Sequence, residues 1–112
     1  MATYEPWSVV TVPFPFVDRR QVKHRPAVVL SPERFQSESQ CVILAMITDA
    51  RNVPWPADVR IRDLAAAGLR FASVVRCKLF TLDRRLILSR IGRLGDADRR
   101  AAGRALRTAI VM

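Results

Sequence analysis

A chain of 112 residues leaves room for one core, so residues 1–112 are expected to form a single domain. Half of the residues are apolar, enough to fold without disulfides or metal, and the apolar runs fall far short of the roughly 20 residues a bilayer-spanning helix needs. A net charge of +9, carried by seventeen Arg and two Lys against ten acidic residues, points to a polyanionic partner, nucleic acid above all, or to an acidic protein.

Met1 to Pro6 has neither the basic start nor the apolar centre of a secretory signal, so a cytoplasmic location is expected. Trp7 to Pro13 is short, β-branched and bounded by prolines, and reads as a first strand. Phe14-Pro15-Phe16 ends it, and Val17 to His24 is a polar loop carrying Asp18, Arg19, Arg20 and Lys23. Pro26 to Leu30 is continuously apolar and predicts a buried second strand. Ser31 to Arg34 reads as a turn or one helical turn, and Cys41 to Ile47 as a third strand, apolar on both faces.

Thr48 to Pro56 predicts a loop holding Trp55. Val59-Arg60-Ile61 alternates as a fourth strand, and Asp63 to Gly68 suggests one or two helical turns closed by glycine. Ser73 to Cys77 and Leu86 to Leu94 are expected as the fifth and sixth strands, with Ile87, Ser89, Ile91 and Arg93 on one face of the last. Gly95-Asp96 announces a helix with Asp96 as its N-cap. In that helix Ala102, Ala105, Leu106, Ala109 and Ile110 recur at helical spacing, with arginines on the other side. The fold class expected is therefore β-rich α+β: a strongly curved sheet of five or six short strands closed by a C-terminal helix.

Cys41 and Cys77 lie in apolar stretches and read as reduced, buried side chains. Two cysteines and one histidine are too few donors for a metal site, so no metal and no cofactor are expected. Nucleophile elbows, phosphate loops and paired metal-ligand motifs are absent from the sequence. A two-histidine ribonuclease mechanism is impossible within one subunit, because His24 is the single histidine. The chemistry is left to Arg, hydroxyls and backbone donors.

Several fragments occur in a suggestive order. Val10-Thr-Val-Pro-Phe-Pro-Phe-Val-Asp18 is followed by Lys23-His-Arg-Pro-Ala-Val-Val-Leu-Ser31 and Val42-Ile-Leu-Ala-Met-Ile-Thr48. Ser73-Val-Val-Arg76, Phe80-Thr-Leu-Asp83 and Ile91-Gly-Arg-Leu94 come next, ahead of an acidic-capped helix. Taken together, nearly the whole chain resembles the MazF/PemK toxins. It departs from them at Trp7-Ser8, where a Gly-Asp pair is usual, and at Val17, where Ser or Thr is common.

The resemblance implies a small SH3-like β-barrel of the CcdB/MazF type. It also implies metal-free, sequence-selective cleavage of single-stranded RNA, a homodimer with a groove between subunits, and a cognate acidic antitoxin. Its Arg-Pro and Ile-Thr positions correspond to Arg25 and Thr48, the catalytic pair so implied. A guanidinium suits the non-bridging phosphate oxygens on which charge builds, and a threonine hydroxyl can donate to the same phosphate. Because a guanidinium keeps its proton, Arg25 is an electrostatic stabiliser rather than a base.

RNA contacts are expected from Lys23, His24, Arg19, Arg20, Phe16, Trp55 and Arg76. In an extended segment His24 faces away from its neighbour Arg25. Phe14, Phe16 and Trp55 offer rings to unpaired bases, although Phe14 and Phe16 equally suit core or dimer packing. Arg76 and Asp83 also suit polar contacts that support the fold. The competing reading is a non-catalytic binding module, either an inhibitor of a protein target, as CcdB-type gyrase inhibitors are, or a toxin-like chain that no longer cuts.

Overall fold

The computed structural model describes residues 3–14 and 23–111, with the backbone alone at Phe14. Runs such as Val9-Val10, Ala27-Val28-Val29 and Val42 to Ile47 are apolar at consecutive positions, which suits strands buried on both sides. These runs lie in β1 (Ser8–Phe14), β2 (Lys23–Val29) and β3 (Cys41–Asp49), with α1 (Glu33–Ser39) between the last two. β4 (Val59–Arg60), α2 (Leu64–Ala67), β5 (Ser73–Asp83), β6 (Ser89–Arg93) and α3 (Asp96–Ala109) complete the order. The six strands form one sheet in the order β4-β5-β3-β2-β1-β6, with every pair antiparallel.

The expected curled sheet with a C-terminal helix is what the chain adopts. One face of the sheet packs Val9, Val28, Ala45, Ile47 and Val75 against Ala67, Leu94 and Ala102. The other buries Val10, Val12, Ala27, Val29, Val42 and Leu44 with Leu82 and Ile87. Each such valine or leucine, fully removed from water, contributes roughly 1.5–3 kcal/mol. Two irregularities help bend the sheet. Met46 pairs Arg76 while its neighbour Ala45 pairs Leu79, so Cys77 and Lys78 bulge from β5. The β1–β6 register also slips by one residue between Val9 and Val10.

These irregularities account for the main differences from the sequence reading. β5 runs on to Asp83 rather than stopping at Cys77, because the bulge interrupts its period-two pattern. β6 starts at Ser89, since Arg84–Leu86 form a 3-10 turn held by the Asp83 carboxylate, which accepts the Arg85 N–H at 2.9 Å. Ile87 and Ile91 consequently join opposite faces of the sheet rather than one. The residues after Ser31 form a true helix, α1, anchored by the buried Gln36. Its side-chain amide accepts from Tyr4 N–H and donates to Tyr4 C=O, both at 2.8 Å. Cys41 and Cys77 are free thiols, part-buried rather than buried.

The N-cap of α3 is Gly95, whose carbonyl accepts the Arg99 N–H at 2.8 Å; Asp96 is the first helical residue instead. Asp96 and Asp98 then complement the helix dipole in the first turn. Two glycines bring α2 against β6. A Cβ on Gly68 (φ +72°) would stand 2.0 Å from the Ile91 carbonyl oxygen, and one on Gly92 would stand 2.4 Å from the Ala67 carbonyl carbon. Trp7 itself sits in the left-handed region at φ 72°. It is held there by hydrogen bonds to Val29 C=O and from Leu94 N–H, with its ring beside Gly103 of α3.

Candidate active site

Arg25 lies near the open end of β2, opposite Val12 of β1. β3 runs alongside with Ala27 facing Met46, so its end, Thr48, arrives beside Arg25 on the sheet face that Met46 and Ala27 share. The two residues line the same two hollows. One, about 300 Å³, also has Ile47, Asp49, Leu69, Phe71 and Ile91 in its walls. The other, about 200 Å³, is completed by Met46, Asn52, Trp55, Arg76 and Lys78. Arg25 and Thr48 thus stand on the divide between a largely apolar hollow, with Asp49 and Arg70 also in its lining, and a cationic, aromatic one. The Arg25 side chain is rooted in the fold, its Nε buried.

The hydroxyl of Thr48 is oriented by its surroundings. Its oxygen accepts from the Asn52 side-chain amide at 2.6 Å, which leaves the hydroxyl proton to be donated outward. Asp49, next in the chain, is a poor base. The Arg51 side chain, assisted by the Arg51 backbone N–H, holds its carboxyl at about 2, far from the near-neutral value that proton transfer favours.

Arg76 grips Asp58 through Nε and Nη2, at 3.2 and 3.0 Å, and donates to the Val53 carbonyl at 2.8 Å. Burial pushes the Asp58 carboxyl up, yet the Arg76 hydrogen bonds and the Trp55 backbone N–H together hold it below the usual range. The Arg76 guanidinium also lies 5.0 Å from the Trp55 ring centroid, with the Lys78 ammonium at 6.0 Å. Trp55, 43% exposed, is therefore an indole fixed in position and open to a ligand.

Of the residues expected at the site, Arg25, Thr48, Trp55 and Arg76 are brought together. Arg76 has much of its donor capacity committed to Asp58 and Val53, so it builds the wall of the hollow. His24 and Lys23 are exposed on β2 and line neither hollow. His24, paired with Pro13, points to the opposite face from Arg25. Phe16, Arg19 and Arg20 lie outside the described residues. The sequence reading did not pick out Asn52, Asp58, Lys78 or Phe71. An aromatic beside Arg70, between the helical turns expected up to Gly68 and the strand expected from Ser73, was a usable signal for Phe71. The Asp58–Arg76 pairing left no trace in spacing.

Among the described residues no three His, Cys, Asp or Glu side chains converge on a point where an ion could sit, and no helix is long and apolar enough to cross a membrane.

A curled six-stranded sheet closed by a C-terminal helix, presenting a guanidinium and a hydroxyl between two open hollows, defines a small α+β barrel suited to an anionic ligand. The chain belongs to the PemK-like, MazF-like toxins of type II toxin-antitoxin systems, whose family model matches residues 5–110. Its structure is similar to that of MazF from Deinococcus radiodurans, with a TM-score of 0.75 at 19% identity and 100% of both chains covered. It is also similar to the Mycobacterium tuberculosis toxin MazF-mt6, with a TM-score of 0.72 at 23% identity over 91% of this chain and 94% of that one. A mycobacterial endoribonuclease solved with its cognate antitoxin gives 0.74 at 16% identity over 96% and 94%. At such identities the likeness is one of fold. No curated protein matches the chain.

Proposed function

We propose that this chain is the toxin of a type II pair, a sequence-selective endoribonuclease that cuts single-stranded RNA in the cytoplasm without a metal ion. The observation that carries this reading is the placement of Arg25 and Thr48 on the divide between the two hollows, with the Thr48 oxygen accepting from the Asn52 amide so that its own proton is left to donate. A phosphodiester laid across that divide has room for a nucleotide on either side.

In this reading the substrate supplies its own nucleophile. The 2′-hydroxyl oxygen bonds to the adjacent phosphorus and loses its proton to solvent. The bond from phosphorus to the 5′-oxygen breaks, and that oxygen takes up a proton. Negative charge gathers on the non-bridging oxygens, where Arg25 stays protonated and Thr48 donates. Trp55 offers a stacking surface for an unpaired base, in place of a paired surface that duplex RNA would keep hidden.

The same reading makes the working form a homodimer and the restraining partner an acidic antitoxin that competes for the arginine-rich surface. Solved relatives include an endoribonuclease with its cognate antitoxin and a MazE–MazF complex. The test is to incubate the purified protein with a mixed RNA pool in EDTA and map the new ends. Cuts recurring at one short motif are expected. Cutting that requires added magnesium, or no cutting, overturns the reading.

A further inference from the structure

A third hollow, about 360 Å³, opens between β4 and α3. Ala97, Ala101 and Arg104 share one face of α3 by helical spacing, and the same hollow is lined by Arg60, the last residue of β4, and by Arg62, at the bend two residues on. Its lining sets these two alanines and three arginines beside Asp58, Val59 and Asp98.

The two acids here are already occupied. Asp98, 3% exposed, accepts the backbone N–H groups of Arg62 and Asp63 at 2.9–3.1 Å. Asp58 is held by Arg76 and by the Trp55 N–H. Elsewhere on the surface Arg34, Arg51, Arg85 and Arg99 are each matched to a nearby carboxylate. Among the described residues, Arg60, Arg62 and Arg104 make no ion pair with a carboxylate, as is also true of Arg70, Arg90, Arg100 and Arg107, but these three line one hollow, where an incoming anion would be shared among them.

We infer that this hollow is a phosphate subsite for the RNA backbone beyond the cut, with Arg60, Arg62 and Arg104 as its donors. The inference rests on the proposed ribonuclease reading. Position favours RNA: Asp58 lines this hollow while its partner Arg76 lines the Trp55 hollow, so the pair is the wall between them. A strand stacked on Trp55 meets the arginines as it leaves. The small alanines leave room for a phosphate beside the arginines, and Val59 is the one lining side chain that is apolar and larger than alanine, too little for an amphipathic peptide.

The experiment compares the wild type with a triple variant, R60Q/R62Q/R104Q. Two RNAs are used, each 2′-deoxy at the attacking position so that it is not cut: one spans only the mapped cut site, the other extends well to both sides. Expected are weaker binding of the long RNA alone, a salt slope shallower by about 0.7 for each phosphate no longer neutralised, and unchanged cutting of a short all-ribose substrate. Ala101→Glu, which adds a carboxylate to the lining, is expected to reproduce the effect without touching an arginine. Equal affinity and slope for the long RNA, or equal losses on long and short RNA, overturn the subsite. So does intact RNA binding combined with lost binding to polyglutamate, which assigns the arginines to an acidic protein instead. A wild type that binds both RNAs but cuts no ribose substrate defeats the ribonuclease reading, while the binding comparison still decides the subsite.

Discussion

Asp58 and Arg76 join through two hydrogen bonds of 3.2 and 3.0 Å, and each has a side chain only 11–13% exposed. The pair ties the loop carrying Trp55 to β5 and separates two of the three hollows that line the basic surface. Most of what distinguishes this surface from a scatter of arginines follows from that one contact.

Acid is expected to loosen this contact. The Asp58 carboxyl lies below its ordinary value of 3.8 in the folded chain, so its contribution to stability is complete above that value and is lost as pH falls through the lowered one. Asp58→Asn is expected to cost roughly 1–3 kcal/mol at neutral pH, because Arg76 then faces a weaker acceptor in a mostly buried setting. The gap between variant and wild type should narrow in acid. Urea melts of both proteins at neutral pH and near pH 3 measure it, and a constant gap would contradict the sign. Both proteins retain some acid sensitivity from Asp49 and Asp83, whose arginine neighbours lower them in the same direction.

Backbone-driven features were the more legible part of the sequence. Consecutive valines placed β1 and β2, and Gly95-Asp96 marked the start of α3 to within a residue. Features set by tertiary contact were not. The extra residues Cys77 and Lys78 broke the alternation that would have announced the rest of β5. Within the candidate site, Arg25 and Thr48 followed from resemblance, yet their shared hollows depend on a β2–β3 register that no local pattern specifies. Asn52 and Asp58 are ordinary loop residues until the fold brings them to Thr48 and Arg76. Trp7 is a related case. Where glycine is usual, a tryptophan adopts a left-handed backbone, at a cost of about 1–3 kcal/mol, and packs its ring where Gly103 leaves space in α3.

Gly92 and Gly103 are expected to respond in opposite directions to the same change. An alanine at 92 puts its methyl 2.4–2.6 Å from backbone atoms of Ala66 and Ala67, which only a shift of α2 relieves, so Gly92→Ala should destabilise by about 1–3 kcal/mol. At 103 the nearest atom is the Trp7 ring at 3.9 Å, an ordinary contact. Gly103→Ala should therefore stabilise by up to about 1 kcal/mol through helix propensity. Thermal melts of the two variants check both signs.

Asn52 is expected to act as a positioning residue through Thr48. Removing its amide frees the hydroxyl to rotate, so Asn52→Ala should lower kcat about 3- to 10-fold, in line with one hydrogen bond, with little change in KM. Thr48→Ala removes the donor itself and should cost about 10- to 100-fold. Combining the two should cost no more than Thr48→Ala alone. Additive losses in single-turnover assays would show that Asn52 acts independently of the hydroxyl.

The sharpest expectation concerns the nucleophile. Arg25, Thr48 and Asn52 supply charge and donors, and Asp49 at about 2 is a weak base, so nothing at the divide readily activates water. The substrate's 2′-hydroxyl is already beside the phosphorus, so orientation and charge neutralisation act on it directly while its proton passes to solvent. A single 2′-deoxy substitution immediately 5′ of the cut phosphate should therefore abolish cleavage. Binding should fall by no more than about 0.5–1.5 kcal/mol, the loss of one hydrogen bond, because phosphates and stacked bases carry most of the affinity. With all-ribose RNA the products should be a 2′,3′-cyclic phosphate and a free 5′-hydroxyl, and Arg25→Ala should slow their formation by about 10²- to 10³-fold. End-group analysis and binding to the substituted strand measure both halves. Continued cutting of the substituted strand, or 5′-phosphate ends, would mean that water attacks and that the reacting phosphate lies away from Arg25 and Thr48.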